Sequence, residues 1–225
     1  MPVLATEAGG AAQGGDADVA ALRAQTERYY TAQVLRHGAT PLGVAWPDQL
    51  TQELRFVQLL RPCDPLRPFT LNDLGCGYGA LVGFLDRRHR GNKVDYLGID
   101  LSQAMIEQAR QLWRTRQGTA FHLGGHSPRI ADFSVASGIF NVRLDAAGAR
   151  WEQLIQDTLS ELARTSKRGF AVNFLKPLPP EMDGARELYR TAADRWMRFC
   201  REQLGMKVSL LDAYGMREFT LHALH

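Results

Sequence analysis

Apolar and polar positions follow a helical period over the first part of the chain. The period runs from Val19 to Leu35 and again from Asp48 to Leu60, and it is interrupted by Gly38, Pro41 and Gly43. Two helices are therefore predicted ahead of the first strand.

Beyond residue 68, short apolar runs of strand length alternate with segments of helical period. Because parallel strands need crossover connections, this alternation predicts an α/β fold, a doubly wound, mostly parallel sheet with helices on both faces. The last two runs are close enough to form an antiparallel hairpin through Tyr214-Gly215. The predicted strands are 69–74, 94–99, 119–123, 133–137, 170–175, 207–211 and 218–224, and the predicted helices are 81–88, 102–116 (with Ser102 as N-cap), 151–162 and 188–199.

Length and composition favour one domain with a decorated N-terminal end. The chain has 225 residues, 45% of them hydrophobic, enough for one well-buried core. Residues 1–20 are rich in Ala and Gly and carry acids, which predicts a flexible tail instead of a signal peptide. We expect the tail at 1–20, a helical lid at 21–68 and a ligand-binding α/β domain at 69–225.

Charge and cysteine content narrow the possible partners and the cellular compartment. The formal charge of +3 is spread over mixed basic and acidic segments, so no nucleic-acid partner is expected. No apolar run approaches the roughly 20 residues of a membrane span. Cys63, Cys76 and Cys200 are odd in number and lack metal-like spacing, which favours a reducing compartment, the cytoplasm, and no metal site. No pattern indicates an oligomeric state.

A glycine loop follows the first predicted strand. Gly75, Gly77 and Gly79 allow a tight turn and close approach of the backbone to a ligand. Asp100 ends the next strand, where a carboxylate can accept hydrogen bonds from ribose hydroxyls. The spacing to Ala80 also satisfies a dinucleotide fingerprint, so an NAD(P)-dependent oxidoreductase remains an alternative.

Three segments at strand ends, Leu71–Gly79, Tyr96–Ser102 and Ala136–Val142, give the chain a resemblance to class I S-adenosylmethionine (SAM)-dependent methyltransferases. The resemblance implies a Rossmann-like seven-stranded sheet with a final antiparallel strand, and SAM as cofactor. The residues it assigns to SAM are Asp73, Gly75, Cys76, Gly77 and Gly79 beside the methionine part, Asp100 on the ribose, Leu101 and Gly125 at the adenine, and Ser137, Gly138 and Ile139 on the other side. Relatives usually hold an acid or amide beside the adenine, and Gly124-Gly125-His126 supplies no acid there.

The predicted lid offers further contacts. Arg55 is a candidate to pair with the SAM carboxylate, since a guanidinium forks onto a carboxylate, or it is a solvated helix residue. Trp46 is either a lid aromatic or part of the core. Tyr30 either covers the sulfonium or packs ordinarily.

The predicted activity is methyl transfer from SAM to a small-molecule acceptor. His37 and His126 are candidates for a general base, because histidine titrates near neutrality, and Asn141 is a candidate to orient the acceptor. The alternative that uses the same pocket is a cyclase or lyase, like an azetidine-2-carboxylate synthase, in which SAM is the sole substrate and methylthioadenosine leaves.

Overall fold

A computed structural model describes residues 10–89 and 93–225, and for residues 10–18 it describes the backbone alone. Its sheet has the order β3-β2-β1-β4-β5-β7-β6, in which β7 runs antiparallel to both neighbours and the other neighbours pair in parallel. The predicted doubly wound sheet and closing hairpin are confirmed. The strands are β1 Phe69–Leu74, β2 Val94–Asp100, β3 Thr119–Leu123, β4 Ala131–Ala136, β5 Ser166–Leu175, β6 Lys207–Leu211 and β7 Glu218–Leu224.

The helices in the described ranges cover both faces of the sheet and its N-terminal approach. Ser102 caps its helix as predicted, since its hydroxyl accepts the Met105 N–H. None of the helices in these ranges is long and apolar enough to cross a bilayer. They are α1 Gly10–His37, α2 Gln49–Leu59, α3 Ala80–Arg88, α4 Gln103–Leu112, α5 Gly148–Arg164 and α6 Ala193–Glu202, with a short 3-10 helix at Pro41–Val44.

The starts of two helices differ most from the sequence expectation. α1 extends back to Gly10, into the segment predicted as a flexible tail, where Ala11, Ala12 and Ala17 favour a helix although Gly14 and Gly15 do not. Residues 1–9 of that tail lie outside the described residues. α6 begins at Ala193 because Leu188 and Arg190 form bridges to Val142 and Leu175, which hold this stretch extended.

Side chains from both faces of the sheet form the core. On one face Phe174 stacks on Phe140, Trp196 and Phe219, with ring centroids 5.1 to 5.7 Å apart. The parallel strands β1 and β4 are buried along nearly their whole length. The strand order reverses between β1 and β4, so the connections that follow these two strands leave in opposite directions. This switch point, at the carboxyl ends of the strands, is where ligands bind in such sheets.

Candidate cofactor site

The glycine loop leaves β1 at this switch point. Gly75 and Gly77 have φ of 75° and 55°, in the left-handed region that favours glycine. A Cβ on Gly75 would meet the Ile139 side chain at 2.2 Å, and one on Gly77 would meet Val44 at 2.7 Å. The loop is therefore held close to the segment after β4 and to the 3-10 helix.

Asp100 ends β2 facing the loop. Its Oδ2 accepts the Gly77 N–H and its Oδ1 the Ser102 N–H, each at 2.9 Å. Burial raises the pKa of the Asp100 carboxyl, and these backbone hydrogen bonds oppose that rise. Each oxygen keeps a further lone pair, so the carboxylate fits two ribose hydroxyls while it holds the loop.

One cavity extends from the loop after β1, the end of β2 and the segment after β4 to the N-terminal helices α1 and α2. Twelve of the fourteen residues predicted to contact the cofactor line it, and Gly79 and Arg55 do not. Besides residues of the sheet edge, the apolar side chains of Phe140, Trp151 and Leu154 line the cavity. The twelve are Tyr30, Trp46, Asp73, Gly75, Cys76, Gly77, Asp100, Leu101, Gly125, Ser137, Gly138 and Ile139.

The expected pairing of Arg55 with the SAM carboxylate is not supported by the geometry. Both Nε and Nη2 of Arg55 donate to the Glu218 carboxylate, and Nη1 donates to the Thr51 carbonyl at 2.8 Å. Arg55 and Glu218 are 4% and 2% exposed, so the fork is already used inside the protein. The guanidinium also stacks on Trp46, 3.6 Å from the ring centroid.

The two candidate histidines lie outside the cavity lining. His37 is exposed at the end of α1. His126 has a side chain 59% exposed, with Nδ1 3.1 Å from a Glu161 oxygen and Nε2 2.8 Å from Arg23 Nη1. Both ring nitrogens of His126 are thus engaged, and His37 does not line the cavity. Neither imidazole is therefore positioned as a general base.

Asn141 is buried directly behind the cavity wall. Its main-chain N–H donates to the Gly138 carbonyl at 3.1 Å, and its carbonyl accepts the Tyr189 N–H. Its side-chain Oδ1 is buried and has no partner among the described residues. Asn141 does not line the cavity, so a role toward an acceptor stays a prediction.

Residues of α1 line the opposite wall, and three of them, Arg23, Thr26 and Glu27, were not predicted from the sequence. Arg23, Thr26, Glu27 and Tyr30 face the cavity at the i, i+3, i+4, i+7 spacing of one helix face. The Arg23 guanidinium lies 3.5 Å from where a Cβ on Gly125 would stand, at the expected adenine position. The helical period places these residues on one face, but a polar stripe of this kind is indistinguishable in sequence from a solvated helix face.

Asp73 is held at the cavity floor by Tyr96, which was not predicted as a site residue from the sequence. The Tyr96 hydroxyl donates to Asp73 Oδ2 at 2.6 Å, and both residues are buried. Burial raises the pKa of the Asp73 carboxyl to about 7, with a contribution from the charge of Asp100 and against the Tyr96 hydrogen bond. A carboxyl that titrates near neutrality suits a ligand that brings its own positive charge.

The segment after β4 completes the wall. The Ser137 hydroxyl is buried without a hydrogen-bond partner among the described residues, as expected of a group that contacts a ligand. Gly138 donates its N–H to Asn173 Oδ1 at 2.8 Å and has φ of 73°. A Cβ on Gly138 would lie 2.2 Å from Trp46, so glycine permits this lid contact.

Replacing Gly138 with alanine should weaken SAM binding about tenfold or more, because the methyl group displaces Trp46 from the cavity wall. Gly205 is the matched control: its φ is 67° and nothing lies within 4 Å of a Cβ there. Both variants carry the strain of a left-handed alanine, about 1–2 kcal/mol. Equal SAM affinities by isothermal titration calorimetry would show that the Trp46 contact is irrelevant to binding.

A Rossmann-like sheet whose glycine loop and strand-end acid border one cavity defines a protein that binds a nucleoside-containing cofactor. Comparison with known proteins identifies the family and its cofactor. The chain matches the methyltransferase domain family over residues 72–169. "Putative methyltransferase Rv1506c" of Mycobacterium tuberculosis is 41% identical over 154 residues, 68% of this chain and 92% of that protein.

Solved structures agree in fold. Magnesium protoporphyrin IX methyltransferase (ChlM) from Synechocystis PCC 6803 with bound SAM has a TM-score of 0.61 at 13% identity, covering 98% of this chain and all of that one. A SAM-dependent methyltransferase from Aquifex aeolicus has a TM-score of 0.56 at 18% identity, covering 79% and 93%. This chain belongs to the class I SAM-dependent methyltransferases, and its cofactor is SAM.

Proposed function

We propose that this protein transfers the methyl group of SAM to a small-molecule acceptor. The observation that carries the proposal is the cavity that the loop after β1, the end of β2, the segment after β4 and the lid helix α1 enclose together. A cavity closed by a lid fits a small acceptor, because methyl transfer needs two oriented reactants and little water.

In this proposal, different residues of the chain contact different parts of SAM. Asp100 holds the ribose hydroxyls, and Leu101 and Gly125 border the adenine. Asp73 and the loop glycines face the charged methionine part. The buried Ser137 hydroxyl, without a partner among the described residues, is available to the same ligand.

The acceptor end lies next to apolar side chains. Phe140, Trp151 and Leu154 line the cavity and would exclude water from the reacting atoms. Because neither histidine reaches the cavity lining, we assign no imidazole base and attribute the rate to positioning. SAM supplies an electrophilic methyl when bound, and the protein aligns it with the acceptor nucleophile.

Incubation with SAM followed by mass analysis of products tests the proposal. We expect S-adenosylhomocysteine (SAH) to form only when an acceptor is present, with the acceptor 14 Da heavier, as one added CH₂ requires. Methylthioadenosine formed from SAM alone would identify the cyclase instead. Stabilisation by NAD(P) without stabilisation by SAM would revive the oxidoreductase, which the comparisons do not support.

SAM affinity should rise with pH through about 7, because the Asp73 carboxyl has a pKa of about 7 and a bound ammonium group favours its charged form. Below pH 7 binding must release the Asp73 proton, so between pH 6 and 7.5 the affinity should increase roughly fivefold to tenfold. Calorimetry in buffers of different ionisation enthalpy measures both affinity and proton release.

Two controls isolate the carboxyl. Asp73→Asn, which can still accept the Tyr96 hydroxyl, should bind SAM more weakly and without this pH dependence. Methylthioadenosine has no ammonium group, so its affinity should stay flat in the native protein. The same slope for SAM in Asp73→Asn would assign the titration to another group.

A further inference from the structure

A second cavity lies beside the first, where β5 ends and β7 begins. Its wall includes side chains of three kinds: apolar ones, a buried ion pair, and two arginines from the loops around it. The lining residues used below are Leu175, Leu178 and Met182, the pair Arg55 and Glu218, and the arginines Arg190 and Arg217.

Two loop arginines supply positive charge to this cavity. Within residues 10–89 and 93–225, neither Arg190 nor Arg217 forms an ion pair. Arg190 donates one bond, from Nη1 to the Lys176 carbonyl at 3.2 Å, and its buried Nε has no partner in that part of the chain. Arg217 Nη1 donates to the sulfur of Met182, a weak acceptor.

The two acids that line this cavity, Glu218 and Asp183, form no ion pair with either arginine in the part of the chain that the structure describes. Glu218 is engaged by Arg55 through two hydrogen bonds and accepts a third from Asn173 at 3.1 Å. Asp183 also lines the cavity, and its side chain is exposed. A guanidinium in a partly apolar site is stabilised by an oxyanion that accepts two parallel hydrogen bonds.

The two cavities share one wall. Consecutive residues of α2 divide between them, with Gln52 and Phe56 lining the first and Thr51 and Arg55 the second. Trp46, which lines the first, stacks on Arg55, which lines the second. A molecule that displaces Trp46 from this stack would touch both cavities.

We propose that the second cavity binds an oxyanion, a carboxylate or phosphate, carried by the methyl acceptor at the end remote from the reacting atom. Arg190 and Arg217 hold the anion, and Leu175, Leu178 and Met182 cover the hydrocarbon beside it. This inference rests on the proposed methyl transfer and names its substrate class: small organic acids with an apolar body.

Binding of matched probes to the SAH-saturated full-length protein tests the proposal. The probes are 3-phenylpropionate, phenyl phosphate, the neutral 3-phenylpropanol and the cationic phenethylammonium, titrated by calorimetry. We expect one or both anions to bind at least tenfold more tightly than the alcohol, and the cation to bind least. Comparison of the two anions distinguishes carboxylate from phosphate.

Variants locate the site. Arg190→Gln with Arg217→Gln should weaken anion binding by roughly tenfold to a hundredfold and leave the alcohol unchanged. Arg198→Gln, on the exposed face of α6 and outside both cavities, changes the net charge without touching the site. SAH affinity and melting temperature, measured on the same samples, establish that each variant is folded with its cofactor cavity intact.

The outcomes separate the two proposals. Failure of the native protein to bind SAH would contradict the cofactor cavity itself. Normal SAH binding with anions no tighter than the alcohol, or an equal loss in Arg198→Gln and the double variant, would overturn the anion site alone. The same holds if neutral metabolites are methylated while organic acids are inert.

Discussion

Replacing Asp100 with asparagine should weaken SAM binding roughly a hundredfold, the largest effect on ligand affinity that we expect. Both carboxylate oxygens accept backbone N–H groups, from Gly77 and Ser102. An amide must turn its NH₂ toward one of these donors, so the loop loses a hydrogen bond while the ribose loses a charged acceptor. A charge-assisted hydrogen bond to a buried group contributes about 1.5–3 kcal/mol, and here two kinds are lost.

Calorimetry with SAM and SAH measures this effect, and Asp95→Asn is its control. Asp95 lies on the same strand, with its side chain 57% exposed and paired with Arg129 away from the cavity. We expect unchanged SAM affinity in that variant. A loss below about threefold in Asp100→Asn would remove Asp100 from the ribose contact.

The largest effect on stability is expected at Arg55. Arg55→Met leaves the Glu218 carboxylate buried without its cation, which should lower the free energy of unfolding by about 3–5 kcal/mol. Adding Glu218→Gln removes the stranded charge and keeps an acceptor for the Asn173 amide, so the double variant should recover much of the loss. Urea unfolding of the two single variants, the double variant and the native protein gives the coupling energy.

The exposed pair Arg195–Glu152 provides the comparison. Its side chains are 51% and 23% exposed, and Arg195→Met should cost about 1 kcal/mol or less. If Arg55→Met costs no more than Arg195→Met, the buried pair does not stabilise the fold. If the double variant is no more stable than Arg55→Met, the penalty comes from lost packing on Trp46 and not from charge.

The sheet and the ligand edge were predictable because their signals are local. Gly75, Gly77 and Asp100 stand at fixed distances along the chain from strand ends, and a strand end determines where a side chain emerges. The alternation of periods likewise predicted each strand and the final hairpin. These features depend on few contacts between distant segments.

The failures involve partners that are distant in sequence. Arg55 lies on the predicted helix, but its partner Glu218 is 163 residues away, and no spacing reports that pairing. His126 follows a strand as candidate residues should, yet its ring nitrogens contact Glu161 and the cavity-lining Arg23, and the imidazole itself does not line the cavity. The cavity-facing stripe of α1 has a clear period, but its polar residues resemble a solvated face until the sheet edge is placed beneath them.

One line of contacts joins the loop after β4 to the lid. The Gly138 N–H donates to Asn173, Asn173 donates to Glu218, and Arg55 links Glu218 to Trp46. We therefore expect a ligand that shifts Trp46 to alter the setting of Gly138 as well, since the two residues also lie against each other in the wall of the first cavity. If a ligand in the second cavity shifts Trp46, we expect it to change the affinity for SAM, and SAM to change the affinity for that ligand by the same factor.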